Sequence, residues 1–76
     1  MLQAVPHPVP HMVHVRLNGS SHELQLSQLD LTTDSTDQQI KQAVARHFGV
    51  TVGLLAAYTV VRHQHATVVR PEAVYG

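Results

Sequence analysis

Asp34-Ser-Thr-Asp-Gln-Gln-Ile-Lys-Gln-Ala-Val-Ala-Arg-His-Phe-Gly-Val50 is the stretch on which the fold turns. Ile40, Ala43, Val44, His47 and Phe48 fall at i, i+3, i+4, i+7 and i+8, a single stripe of a 3.6-residue period. Gln38, Gln39, Lys41, Gln42 and Arg46 take the other side. Ser35 or Thr36 is placed to cap the free amides of the first turn, with Gln38 or Gln39 three residues on to close a capping box. Asp34 and Asp37 stand at the positive end of the helix dipole, Arg46 and His47 at the negative end. Gly49 supplies the left-handed residue that stops the helix. An amphipathic helix with one apolar stripe has to lie on something, and both flanks read as strands.

On the amino-terminal side, Val13, Val15 and Leu17 alternate with Met12, His14 and Arg16. Asn18-Gly19-Ser20-Ser21 is a turn, because Asn-Gly tolerates the positive φ of tight hairpins. His22 to Gln28 resumes the alternation with Leu24 and Leu26 inward, and Leu29 and Leu31 bridge the hairpin to the helix. Beyond the helix, Thr51 is placed to cap a single helical turn that lays Leu54 and Leu55 on the core, while Gly53 disfavours anything longer. Tyr58 to His63 is a third strand, Gln64-His65-Ala66 a turn, and Thr67 to Arg70 a fourth strand. Both faces of the last two strands carry valine. Pointing Arg62 and Arg70 to water selects Val61 and Val69 for the core. Pro71 cannot donate to a ladder and ends the last strand. Pro6, Pro8 and Pro10 hold the chain open around His7 and Val9. The expected organisation is a flexible Pro/His-rich leader over 1–11, a domain over 12–70 and a tail over 71–76.

Strand, strand, helix, strand, strand is an α+β arrangement, one helix on a mixed four-stranded sheet whose first and last strands are central parallel neighbours. From Met12 to Gly76 the chain resembles the β-grasp, or ubiquitin-like, family. The resemblance rests on the hairpin Val13–Leu26, the Ser35-Thr36 start of a helix containing Ile40-Lys41, and the helix exit Gly49-Val50-Thr51. The strand Thr67-Val-Val-Arg70 leading towards Gly76 completes it. It implies two kinds of function: a non-catalytic protein-binding module, or a covalent carrier activated at its terminal glycine by an adenylating enzyme. Activated members of the family end in two glycines, whereas this chain ends Val74-Tyr75-Gly76, and Lys41 is its sole lysine.

Composition narrows the classes further. Seventy-six residues make one small domain, and with no cysteine its stability comes from packing alone, about 3–5 kcal/mol for a core of this size. Five basic and five acidic residues cancel without forming a run of either sign, which argues against nucleic acid as the partner. No apolar run reaches membrane-spanning length and no signal-peptide pattern opens the chain, so a cytoplasmic protein is expected. Seven histidines stand out. His11 and His14 are an odd number apart, so on extended backbone they point to opposite faces, and His63 and His65 alone are too few ligands for zinc. No metal or cofactor is expected.

No enzyme is expected either. Ser20, Ser21, Ser27 and Ser35 are explained by turn, strand and cap contexts, and Asp30, Asp34 and Asp37 by capping at the helix start. For the binding-module reading, Met12, His14, Arg16, Val68 and Arg70 form a mixed patch on the sheet, with Tyr75 folding back to join it. For the carrier reading, Gly76 is the attachment point. Tyr75, bulky where activated carriers have glycine, favours the first.

Overall fold

A computed structural model describes residues 10–72. Two strands, β1 (Met12–Leu17) and β2 (Ser20–Gln25), make the first hairpin. A helix, α1 (Asp37–Phe48), follows, and then a second hairpin of β3 (Tyr58–Arg62) and β4 (Ala66–Pro71). Short 3-10 turns at Leu26–Leu29 and Val52–Leu55 connect the helix to its neighbours. The strand order is β2-β1-β4-β3, with β1 and β4 parallel at the centre and both outer pairs antiparallel. This is an α+β fold, one helix packed on a mixed four-stranded sheet.

Local chemistry explains each element. Asn18 and Gly19 adopt φ of 52° and 78° between the paired Leu17 and Ser20. Positive φ at both positions is the two-residue hairpin turn whose twist suits the strands. The turn is thus shorter than expected, and Ser20 and Ser21 already belong to β2. At the helix start the Gln39 amide donates to the Thr36 hydroxyl at 3.1 Å, and the Thr36 amide donates to Gln39 Oε1 at 2.8 Å. Gly49, at φ 68°, turns its amide to the Ala45 and Arg46 carbonyls and ends α1.

The sheet contributes Val13, Val15 and Val69 to the core, the helix Ile40 and Val44, and the second 3-10 turn Leu55, all essentially inaccessible to water. Leu24, Phe48, Val50, Tyr58 and Val60 pack around them, half-buried. Thr67 is the one buried polar side chain among the described residues, and its hydroxyl is hydrogen-bonded to His11 Nε2 at 2.8 Å. The His11 carbonyl also accepts from the Leu26 amide at 3.2 Å. His11, at the boundary of the expected leader, is therefore held to the body from two directions.

Five local expectations are corrected. Val60, not Val61, faces the core, because Val60 lies opposite the buried Val69 and Val61 opposite Val68. The inference from Arg62 fails since its guanidinium does not seek water alone. It reaches across the helix start to donate to Asp37 Oδ1 at 2.6 Å and to the Ser35 carbonyl at 2.8 Å. Leu54 is 48% exposed while Leu55 is fully buried. A 3-10 turn has about three residues per revolution, so adjacent side chains point roughly 120° apart and only one meets the core. Thr51 makes no side-chain cap to that turn. Finally, β2 ends at Gln25 rather than running on to Gln28. The Gln25 amide donates to Gln28 Oε1 at 2.7 Å, and Asp30, left-handed at φ 55°, closes the turn that buries Leu26 and Leu29. Asp30 therefore terminates this turn and does not cap α1.

Leu54 and Leu55 give a direct check on this packing. Leu55→Ala should cost about 2–5 kcal/mol by urea unfolding, and Leu54→Ala less than about 0.5 kcal/mol. Equal losses would show the turn to be misoriented.

Candidate functional site

With the helix and both 3-10 turns gathered over one face, the other face of the sheet carries no packed element among the described residues. Its residues follow from the register. Met12 stands between Gln25 and Ala66, and His14 between Glu23 and Val68. Val68 continues to Val61 on β3, and Arg70 to Thr59. The burial of β1 and β4 alternates accordingly: Val13, Val15, Thr67 and Val69 are buried, whereas Met12, His14, Ala66 and Val68 are half-exposed and Arg16 and Arg70 exposed.

The outcome is a two-part surface. Met12, Ala66, Val68 and Val61 make an apolar band across β1, β4 and β3. Arg16 and Arg70 each follow directly on the paired Val15 and Val69, so they stand side by side at one end of it. Neither has a carboxylate within ion-pair distance among the described residues, where the single ion pair is Arg62–Asp37 on the opposite side of the sheet. Glu23, across from His14, is the one acidic residue in the registered part of this face.

The structure thus places Met12, His14, Arg16, Val68 and Arg70 on one face of the sheet; alternation puts the first three there and the exposure of Arg70 the other two. Tyr75 and Gly76 lie outside the described residues. Val61 and Ala66 were missed. The sequence points Val61 to the core and Ala66 to a turn. The signal that finds them is the pairing of β4 with both neighbours, which local pattern does not contain.

Two grooves flank the first 3-10 turn. A groove of about 280 Å³ runs beside the first 3-10 turn, lined by residues including His11, Gln25 and Leu31. One of about 210 Å³ lies between that turn and α1, lined by residues including Asp30, Gln42 and Arg46. Among the described residues no three His, Asp or Glu side chains gather as a metal site requires. No helix among them is long and apolar enough to cross a membrane. Three imidazole and phenyl rings do meet at the carboxy-terminal end of α1. Phe48 lies 4.7 Å from His22 and 4.9 Å from His47 between ring centroids, an edge of the core rather than a site. No protein-family model matches the chain, and no curated protein or solved structure does.

Exchanging a valine for the nearly isosteric threonine tests which way each face points. Val68→Thr should change the unfolding free energy by less than about 0.5 kcal/mol. Val69→Thr should cost about 1–3 kcal/mol, because its hydroxyl would be buried without a partner. Similar losses at both positions would mean that the second face is covered.

Proposed function

We propose that the chain is a β-grasp domain acting as a non-catalytic protein-binding module. The observation that carries this reading is the sheet face that no described element covers, with the apolar band of Met12, Ala66, Val68 and Val61 ending at Arg16 and Arg70. Interfaces of this kind set an apolar centre within a polar rim, with arginine enriched among the contacting residues. The fitting partner is a protein surface or segment that offers apolar side chains to the band and a carboxylate to the paired arginines. The sheet order, with parallel β1 and β4 at the centre and α1 between the hairpins, supports the β-grasp assignment.

A photo-crosslinking side chain placed at Val68 should capture a distinct protein from host lysate, and the same group at Gln42 on the outer face of α1 should not. Arg16→Glu with Arg70→Glu should abolish that capture while leaving the melting temperature within a few degrees. Capture at Gln42 alone, or capture indifferent to the two arginines, would place the binding surface elsewhere.

A further inference from the structure

The two outer strands, β2 and β3, differ at their free edges. In an antiparallel pair, alternate residues turn both backbone hydrogen-bonding groups to the partner strand and those between turn them outward. The His63 amide bonds the Ala66 carbonyl at 2.7 Å. With Val61 opposite Val68 and Thr59 opposite Arg70, the inward set is then Thr59, Val61 and His63. The amides and carbonyls of Tyr58, Val60 and Arg62 face outward. The Met12 amide, which bonds the His65 carbonyl at 3.2 Å on the other side of β4, requires the same parity. Among the described residues nothing hydrogen-bonds these outward groups.

An open row of backbone groups is a template for another strand, and folded proteins usually blunt it with charge, proline, a bulge or cover. The β2 edge is blunted twice. Its outward residues are Ser21, Glu23 and Gln25, so a carboxylate sits at its centre, and the Gln25 amide is already taken by Gln28 Oε1. The β3 edge has no such protection. Tyr58 to Val61 carry no charge, and Arg62 commits its guanidinium to Asp37 and the Ser35 carbonyl.

We infer that β3 pairs with β3 of a second copy of this chain, antiparallel and centred on Val60, to make one continuous sheet about a two-fold axis. The strand is self-complementary in that register. Val60 meets its own copy, Tyr58 meets Arg62 of the second copy, and Thr59 meets Val61, so every outward amide and carbonyl finds a partner. A shift along the strand leaves some of them unpaired. The Tyr58–Arg62 pairs lie on the helix side. The Thr59–Val61 pairs lie on the open face, where β-branched neighbours pack well. The same operation on β2 would set Glu23 against Glu23, which like-charge repulsion disfavours. A two-fold axis normal to the sheet keeps both helices on one side and joins the two open faces on the other. The inference rests on the edge alone and stands whether or not the open face binds a partner.

Sedimentation equilibrium on the full chain should show the mass rising from monomer to dimer over roughly the micromolar to millimolar range expected of a small interface. Amide exchange read by NMR, which needs no variant, localises the contact. Protection at Tyr58, Val60 and Arg62 should increase with protein concentration while Ser21 and Glu23 exchange quickly throughout. Val60→Pro deletes the central donors at a position where an edge strand tolerates proline, and should weaken the dimer about tenfold or more. Glu23→Gln should leave it unchanged. A monomer mass at every concentration would overturn the inference. So would a dimer protected at β2 or at neither edge, or β3 protection that appears only on adding an extended peptide from another protein.

Discussion

Parallel pairing of β1 with β4 is the constraint on which the rest of the molecule depends. It joins strands from opposite ends of the described chain and sets Val13, Val15 and Val69 in one buried row. The hydrogen bond between His11 and Thr67 spans 56 positions of sequence beside it. Neither hairpin is stable alone in water, since an isolated two-stranded ribbon leaves its apolar side chains exposed. Only when the hairpins dock through this central pair does α1 find a surface wide enough to cover. Such long-range contact must close a large loop before it gains any burial, which makes this step the slow one in folding.

The width of that surface explains why one helix suffices and why the second face is left open. Twelve helical residues span about 18 Å, and four strands place their outer axes roughly 14–15 Å apart. A helix lying obliquely therefore reaches from edge to edge. Both of its ends touch outer strands: Asp37 meets Arg62 of β3, and Phe48 stacks near His22 of β2. The Arg62–Asp37 pair is exposed by 40% and 60%, so its contribution is at most about 1 kcal/mol. It lies on the side of β3 from which Tyr58 and Val60 pack against the core, and Val61 faces the other side.

Local pattern is decisive where one rule acts alone. The Thr36 start and Gly49 stop of α1, the positive φ at Asn18 and Gly19 and the alternation of β1 each depend on a few adjacent residues, and each stands where local chemistry puts it. The stripe of α1 is shifted by comparison, with Ala45 buried and His47 exposed, and β4 takes in Pro71 opposite Tyr58. The open face was legible to the same extent, since Met12, His14 and Arg16 are simply the complement of Val13, Val15 and Leu17. Pattern failed where two local signals were equal and tertiary structure broke the tie. Tyr58 to Arg62 has valine on both faces, and the partners that distinguish the faces, the core beneath Tyr58 and Val60 and Asp37 beside Arg62, lie far off in sequence, Asp37 by 25 positions. The end of β2 was hidden for a related reason. Leu24 and Leu26 fit a continued strand, but the Gln25–Gln28 exchange of hydrogen bonds favours a tight turn that still buries Leu26.

This division of labour has a consequence for how the surface can vary. Residues facing α1 hold the fold, and a change at Val69 or Leu55 is a change in stability. Met12, Val61 and Val68 face away from it, and what they require is β propensity and compatibility with cross-strand neighbours. Chemistry on that side can therefore be altered with little stability lost, provided the strands stay β-branched or aromatic. The outward groups of β3 answer to neither demand. Their amides and carbonyls are fixed by the ladder to β4 whatever the side chains are, so the edge persists as long as the fold does. An open face that tolerates substitution thus lies beside an edge whose backbone groups do not depend on the side chains, and either can vary in sequence without altering the other.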